Sequence, residues 1–181
     1  MSITSIEDDA LALKSYIKSY PDYPQPGILF RDIFTVFQST DGLQLLNNIL
    51  KKYAVEIAGK VDCVAMLEAR GFLLGTLMAL HLNVPCVLVR KKGKLPGKVA
   101  QLEYSLEYTK DILEVQLDVL KEGKRVLVID DLLTTGGTLE AAVQLLRKTG
   151  AEVVEALVIM ELCDLEARKK IDIPIKSFIQ Y

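Results

Sequence analysis

The chain of 181 residues contains no tryptophan, one histidine and three cysteines. A single histidine nearly excludes Ser-His-Asp and Cys-His nucleophile systems, and the sequence has no Cys-x-x-Cys or histidine-rich metal signature. We interpret His81 as a residue at the end of a helix. Cys63, Cys86 and Cys163 are odd in number and far apart, which argues against a disulfide framework. Because Cys63 and Cys86 lie in apolar strand-like runs, we expect buried thiols and a cytoplasmic protein.

Long hydrophobic runs and a strong net charge are also missing. The most apolar stretch, residues 72–90, is interrupted by His81, Asn83 and Pro85 before it reaches the roughly 20 residues that cross a membrane. The acidic N-terminus resembles neither a secretory signal nor a transit peptide. The net charge of −2 gives no general attraction to polyanions, so we expect no nucleic-acid or membrane partner. Any anion site must therefore be local.

The segments that are present alternate between helix and strand. Amphipathic or buried helices are predicted at about residues 5–18, 42–58, 72–82 and 138–150, the last ended by Gly150. Apolar strands are predicted at 61–67, 85–90, 126–130, 151–160 and 173–181. Strands without clean alternation, separated by helices, predict an α/β domain with a parallel sheet covered on both faces.

Two stretches do not fit this alternation. Residues 20–34 contain three prolines and a glycine, which predicts irregular backbone leading into an extended segment. Residues 91–109 are polar and too long for a simple connection, so we expect a functional loop there.

The strand at 126–130 is followed by a turn rich in hydroxyl groups and glycine. Gly136 and Gly137 allow backbone N–H groups to approach an anion, and Thr134, Thr135 and Thr138 add hydroxyl donors. The following helix adds its positive N-terminal end. The pattern predicts a monophosphate site, although it matches neither the ATPase phosphate loop nor the dinucleotide fingerprint. From these residues alone, an ordinary strand–helix turn remains an alternative.

Asp130 and Asp131 precede this turn and would repel a bare phosphate. Their carboxylates can accept hydrogen bonds from vicinal hydroxyl groups, and they can stabilise positive charge that develops on a sugar ring. The two acids beside the turn therefore favour a ribose 5-phosphate as ligand.

The motif VLVIDDLLTTGGT resembles the 5-phosphoribosyl diphosphate (PRPP) signature of type I phosphoribosyltransferases. YPDYPQPGILFRDI, EARGFLLG, VLVRKKGKLPG and YSLEYTKDILEVQ occur in the order and spacing of the adenine-specific members, over about residues 20–181. The resemblance implies a single α/β domain with a central, mainly parallel sheet flanked by helices. It also implies a small N-terminal hood at about residues 20–36 and a mobile lid loop at about 94–110.

The implied reaction converts adenine and PRPP to AMP and diphosphate, with Mg²⁺ held mainly by PRPP oxygens. The implied ligands of the ribose 5-phosphate are Asp130, Asp131, Thr134, Thr135, Gly136, Gly137 and Thr138. The diphosphate is implied to bind the EARG loop, often through an unusual cis peptide, and the basic run after it. The residues concerned are Glu68, Ala69, Arg70, Gly71 and Lys91, with Arg90 less directly implied. A neighbouring subunit contributes from this region in the family, which predicts a homodimer.

The adenine site is implied at Leu29, Phe30 and Arg31, although Leu29 and Phe30 could equally be core residues. Glu107 is implied as the catalytic group that exchanges a proton with adenine N9, flanked by lid residues Tyr104 and Tyr108. Thr109 stands where the family usually has glycine, which bears on the flexibility of the hinge and not on the chemistry. Thr134 stands where the family commonly has alanine, and its extra hydroxyl is compatible with phosphate binding.

Other readings of the motifs stay open from the sequence. A hypoxanthine/guanine, xanthine or orotate phosphoribosyltransferase would share the PRPP signature but lacks the GILFRD and YSLEY pair. A PRPP-sensing regulator without catalysis would keep the fold, although the pI of about 5.5 and the presence of Glu107 argue against it. A Rossmann-type methyltransferase would need a glycine-rich turn after its first strand, which EARGF does not provide.

Overall fold

The chain forms two units, residues 1–56 and 57–181. The computed structural model describes residues 4–105 and 110–181. In the first unit the elements are α1 (Ile6–Lys14), β1 (Lys18–Pro21), β2 (Leu29–Asp32), α2 (Phe34–Phe37) and α3 (Thr40–Glu56). In the second unit they are β3 (Cys63–Leu67), α4 (Arg70–Leu82), β4 (Cys86–Lys91), β5 (Val99–Ser105), β6 (Lys110–Gln116), β7 (Arg125–Leu133), α5 (Gly137–Lys148), β8 (Glu152–Glu161), two 3-10 turns (Cys163–Leu165 and Ala167–Lys169) and β9 (Ile175–Gln180).

The first unit packs α1 against α3 beside a two-stranded antiparallel ribbon of β1 and β2. A reciprocal capping box between Ser5 and Asp8 starts α1. The predicted helix to residue 18 was too long, because α1 ends at Lys14. The chain after it pairs Lys18–Pro21 with Leu29–Asp32 instead. Strand pairing outcompetes local helix propensity there.

The second unit is built on a seven-stranded sheet with the order β5-β6-β4-β3-β7-β8-β9. The strands from β4 through β9 in this order run parallel, and the hairpin β5–β6 pairs antiparallel with β4. All residues of β3 are buried, as are the first apolar residues of β7. This confirms the predicted α/β class with a mainly parallel sheet.

The hairpin corrects one prediction, because residues 94–110 were expected to form a loop. Leu102 is buried, and Ala100 and Tyr104 pack against the core, whereas Gln101 and Glu103 are exposed. This alternation with period two is that of a half-buried strand. The overall polarity of the stretch concealed it in the sequence.

The core of the second unit contains Cys63, whose burial raises the pKa of the thiol to about 11. Cys86 was expected to be buried but is exposed, because the first residue of β4 points away from the buried Val87. His81 lies in the last turn of α4, as predicted, and Gly150 follows the end of α5 with a positive φ. In the part of the chain that the structure describes, no helix is long and apolar enough to cross a membrane.

Candidate active site

The carboxyl ends of β3 and β7 lie side by side, because the two strands pair in parallel with Met66 opposite Ile129. A short segment and then a helix follow each strand: α4 after β3, and α5 after β7. Ligands of open parallel sheets bind at this edge. Residues 68–71 and 130–138, which were predicted separately from the sequence, are therefore neighbours.

An ion pair joins these two segments. Arg70 Nε donates a hydrogen bond to Asp131 Oδ2 over 2.6 Å. The side chain of Asp131 is 4% exposed, whereas that of Arg70 is 37% exposed. The buried carboxylate therefore fixes the position of a cation at the carboxyl edge of the sheet.

Asp130 has a different environment from its neighbour. Its Oδ1 accepts a hydrogen bond from the backbone N–H of Asp131 over 2.9 Å. Burial raises the pKa of the Asp130 carboxyl well above its ordinary value, and the adjacent Asp131 carboxylate adds to this effect. Asp131 is thus paired with the Arg70 cation, whereas the Asp130 carboxyl favours its protonated form. Together they can both accept and donate hydrogen bonds toward hydroxyl groups.

The EARG loop approaches the end of β7 too closely for a side chain. A Cβ atom on Gly71 would lie 2.7 Å from the carbonyl oxygen of Ile129 and 3.4 Å from Asp130 Oδ1. The Glu68–Ala69 peptide bond is cis, as the resemblance implied. Since α4 begins at Arg70, the backbone N–H groups of its first turn lie in the same loop.

Gly136 shapes the turn after β7. Its φ of +84° is in the left-handed region that glycine adopts most readily, and it is the N-cap of α5. A Cβ atom there would lie 3.1 Å from both Ala167 Cβ and Ile171 Cδ1. The turn is thus packed onto residues 167–171, which the sequence did not connect with it.

The hydroxyl residues of this turn remain accessible. Thr134 is exposed, and Thr135 and Thr138 are half-buried, as is Gly137. They surround the N-terminus of α5, whose first N–H groups and dipole attract anions. The turn therefore has the donors that a phosphate monoester requires.

Glu68 gathers the basic residues that follow β4. Its Oε2 accepts hydrogen bonds from Arg90 Nε at 2.9 Å and from the Lys91 backbone N–H at 3.1 Å, and its Oε1 accepts one from Lys94 Nζ at 2.5 Å. Burial alone would raise the pKa of Glu68, but the hydrogen bonds from Lys94, the Lys91 amide and Arg90 outweigh burial and lower it. The Glu68 carboxylate therefore holds cations in place.

Lys91 is held by an acid on the neighbouring strand. Its Nζ lies 2.9 Å from Asp111 Oδ2. The hydrogen bond to Asp111 raises the pKa of Lys91, and the same bond lowers the pKa of Asp111. The lysine side chain is 55% exposed, so a cation of stable charge faces solvent beside β4.

The predicted lid residues are only partly covered by the structure. Tyr104 lies on β5 and packs against the core of the second unit. Glu107, Tyr108 and Thr109 lie outside the described residues.

The predicted adenine residues lie on β2 in the first unit. Leu29 is 47% exposed, which excludes the alternative that it is a core residue, whereas Phe30 and Arg31 are half-buried. The ring of Phe30 packs edge-on against Tyr23 with centroids 5.1 Å apart, and an Arg31 guanidinium N–H donates to Ser19 Oγ at 2.5 Å. The segment therefore presents apolar surface next to a fixed arginine.

Two acids near the basic residues were missed by the sequence analysis. Asp111 pairs with Lys91, and Glu114 is 3% exposed and accepts a hydrogen bond from the Gly93 backbone N–H. A usable signal existed for Glu114, because it stands between Leu113 and Val115 in an apolar run. A charged residue at such a position predicts a buried carboxylate that has hydrogen-bond partners.

Comparison with known proteins gives consistent matches. Residues 35–180 match the phosphoribosyl transferase domain family. The adenine phosphoribosyltransferase of Gluconobacter oxydans (strain 621H) is 48% identical over 171 residues, which cover 94% of this chain and 94% of that protein. The enzyme of the same name from Mus musculus is 46% identical over 167 residues, which cover 91% of this chain and 93% of that one.

Solved structures agree with these relatives. The adenine phosphoribosyltransferase of Thermoanaerobacter pseudethanolicus ATCC 33223 superposes with a TM-score of 0.88 and 40% identity, covering 95% of this chain and 99% of that chain. The Saccharomyces cerevisiae protein, solved with D-2,5-dideoxy-2,5-imino-altritol 1,6-bisphosphate and adenine, gives a TM-score of 0.88 and 34% identity, with coverage of 94% and 98%.

Proposed function

The chain belongs to the phosphoribosyltransferase family, and on this premise we propose that it transfers the 5-phosphoribosyl group of PRPP to adenine. The products are AMP and diphosphate, so the chain is a pentosyltransferase of purine salvage. The observation that carries the proposal is the Arg70–Asp131 ion pair, because it joins the segment suited to a diphosphate with the segment suited to a ribose. The relatives named for adenine support the choice of base.

The ribose 5-phosphate end of PRPP binds after β7. Thr134, Thr135 and Thr138 donate hydroxyl groups to the phosphate, and Gly136 and Gly137 bring backbone N–H groups to it. Asp130 and Asp131 bind the 2- and 3-hydroxyl groups of the ring. Because the pKa of Asp130 is raised, its protonated carboxyl can donate as well as accept, which suits a diol whose hydroxyls both donate and accept hydrogen bonds.

The diphosphate end binds across the EARG loop and the basic turn. Backbone N–H groups of residues 68–71 and the Arg70 guanidinium contact it, together with the protonated Lys91 ammonium. The Glu68 side chain, in contrast, is occupied by Arg90 and Lys94, so we assign its contact with diphosphate to the main chain alone.

Adenine binds at residues 29–31, where Leu29 and Phe30 supply apolar contact and backbone groups read the edge of the base. Arg31 is held by Ser19 and supports this segment. In the reaction the bond between C1′ and the diphosphate oxygen breaks, and a bond from adenine N9 to C1′ forms. The Asp131 carboxylate stabilises the positive charge that develops on the ribose ring.

Formation of the new bond requires loss of the N9 proton. We assign its acceptance to Glu107, with Tyr104 and Tyr108 beside the closed site. Closure excludes water, which would otherwise attack the ribosyl centre. Exchange of Glu107 for alanine is expected to lower turnover far more than the affinity for PRPP, and an equal loss in both would contradict this role.

Mg²⁺ is the cofactor we assign to the reaction. Among residues 4–105 and 110–181 no group of three or more His, Cys, Asp or Glu side chains is arranged to hold a metal. Mg²⁺ commonly binds through one or two carboxylates together with substrate phosphates. Asp130 and Asp131 would supply carboxylate oxygens to an ion that is held mainly by PRPP oxygens. When bound, Mg²⁺ would supply positive charge that offsets the negative charge of the diphosphate.

A homodimer is the assembly we infer from the surface of α4. Leu73 and Leu80 are 44% and 72% exposed, and Leu77 between them is half-buried, so an apolar stripe faces outward. Because α4 starts at Arg70, a second copy on this stripe would lie next to the diphosphate loop. Light scattering of the wild type and of Leu80→Glu tests this, and a monomeric wild type would contradict it.

The free cysteines suit a reducing compartment, and we propose the cytoplasm.

The proposed reaction is tested with purified protein, PRPP, Mg²⁺ and one base at a time, with nucleotides separated by chromatography. AMP from adenine, with little or no product from hypoxanthine, guanine, xanthine or orotate, is expected. Turnover of hypoxanthine or guanine at a similar rate would contradict the assignment of the base. PRPP binding without turnover of any base would instead indicate a regulator.

A further inference from the structure

The turn at residues 91–94 carries three lysines and is bound by carboxylates on two sides. On one side Glu68 accepts from the Lys91 N–H and from Lys94 Nζ. On the other side Glu114 Oε2 accepts from the Gly93 N–H over 2.9 Å. Gly93 has a φ of +81°, so the chain reverses at the residue that Glu114 holds.

Glu114 is placed for this contact by the sheet. It lies on β6, whose antiparallel pairing with β4 sets Arg90 opposite Glu114 and Lys91 opposite Leu113. The pairing continues beyond β4, since the Lys92 N–H donates to the Ile112 carbonyl over 2.9 Å. The carboxylate is thus carried by a rigid strand to the end of the basic turn.

The burial of Glu114 calls for a reason, because a buried carboxylate is costly unless its hydrogen bonds are satisfied. Both of its oxygens accept from neutral donors: the Gly93 N–H and, at 2.7 Å, the Gln101 side-chain amide. Its interior position therefore does not depend on a salt bridge with the lysines. Lys91 and Lys94 pair with Asp111 and Glu68 instead, at side chains that are 55% and 47% exposed, while Glu114 fixes the backbone between the two lysines.

We propose that Glu114 is a positioning residue for the diphosphate-binding cations. By holding Gly93, it keeps Lys91 and Lys94 in place before the ligand arrives, so less conformational freedom is lost on binding. This role rests on the proposed function, and it concerns only the diphosphate end of PRPP. AMP, which has no diphosphate, does not use the turn.

The test compares binding of pyrophosphate with Mg²⁺ and binding of AMP, each by isothermal titration calorimetry. Glu114→Ala is expected to weaken pyrophosphate binding about tenfold, the equivalent of about 1.4 kcal/mol, with AMP binding changed less than about twofold. Glu114→Gln should bind pyrophosphate nearly as the wild type does, because its amide oxygen can still accept from Gly93. Glu152→Ala, an exposed glutamate at the start of β8, is the control and should change neither.

Unchanged pyrophosphate binding in Glu114→Ala, or an equal loss for AMP, would overturn the proposal. Circular dichroism and the thermal midpoint establish that each variant is folded. If Glu114→Ala does not fold, the pyrophosphate affinity of Glu114→Asp tests the proposal instead. Its carboxylate keeps the charge but is one methylene too short for Gly93, so pyrophosphate binding should weaken and wild-type affinity would overturn the role. If the wild type makes AMP but the Glu114 variants bind pyrophosphate normally, only the role of Glu114 is refuted. If the wild type binds neither pyrophosphate nor AMP, the proposed function is refuted as well.

Discussion

Replacement of Gly71 by alanine tests whether the EARG loop must touch the end of β7. The added Cβ would lie 2.7 Å from the Ile129 carbonyl oxygen, about 0.7 Å inside an ordinary van der Waals contact. The obstacle is backbone within a buried strand, so the loop and the start of α4 must move. Overpacking of this kind lowers the free energy of unfolding by about 1–3 kcal/mol, and the higher helix propensity of alanine offsets up to about 1 kcal/mol of this loss. We expect a net loss of about 1–2 kcal/mol in the free energy of unfolding.

The effect on catalysis should exceed the effect on stability. Movement of the loop displaces Arg70 relative to Asp131, and a misplacement of about 1 Å can lower a rate about a hundredfold. Urea denaturation and AMP formation at 25 °C measure the two effects separately. Gly59→Ala is the matched control: its φ of +76° costs about 1 kcal/mol with alanine, but nothing lies within 4 Å of the new Cβ. The control should keep full turnover, and full turnover in Gly71→Ala would refute the close-contact argument.

Three further predictions concern charged groups. Because the pKa of Asp130 is higher in the folded protein than in the unfolded chain, its stabilising contribution is present at low pH and is lost as pH rises through the folded pKa. Asp130→Asn should therefore raise the thermal midpoint at pH 7–8 while lowering turnover, with the stability gain shrinking toward pH 4, and a gain independent of pH would contradict this. Arg168 donates hydrogen bonds to both carboxylate oxygens of the buried Glu161, and the arginine side chain itself is half-exposed. Arg168→Ala leaves the buried carboxylate without this ion pair, so it should lower the free energy of unfolding by about 2 kcal/mol in urea denaturation. A double-mutant cycle of Arg70→Ala and Asp131→Asn, read as kcat/KM for PRPP, should give a coupling of about 1 kcal/mol, and strict additivity would argue against their cooperation.

The apolar strands and the segments after them could be predicted from local sequence. Strands β3, β4, β7, β8 and β9 are mainly apolar runs in the sequence, and their predicted positions agree with the structure to within a few residues. The rule that ligands bind at the carboxyl ends of parallel strands then predicts a site at EARG and DDLLTTGGT. These features depend on contacts within a short stretch of chain or on a general property of the fold class.

Other features depend on partners that are distant in sequence. The end of α1 is set by the pairing of Lys18 with Asp32, and the strand character of residues 99–105 by the pairing of β5 with β6. The exposure of Cys86 follows from which side of β4 is covered. Which acid pairs with which basic residue could not be predicted for the same reason. The ion pairs Arg70–Asp131 and Lys91–Asp111 join residues that are distant in sequence and that no local pattern links.

The central claim is that this chain moves the phosphoribosyl group from diphosphate to adenine. Phosphorus-31 NMR of PRPP, adenine, Mg²⁺ and the protein follows every phosphorus-containing species in one sample. The account predicts that the PRPP signals give way to those of AMP and free diphosphate in equal amounts, only when adenine is present. Persistence of the PRPP signals, or their conversion to ribose 5-phosphate without AMP, would contradict it.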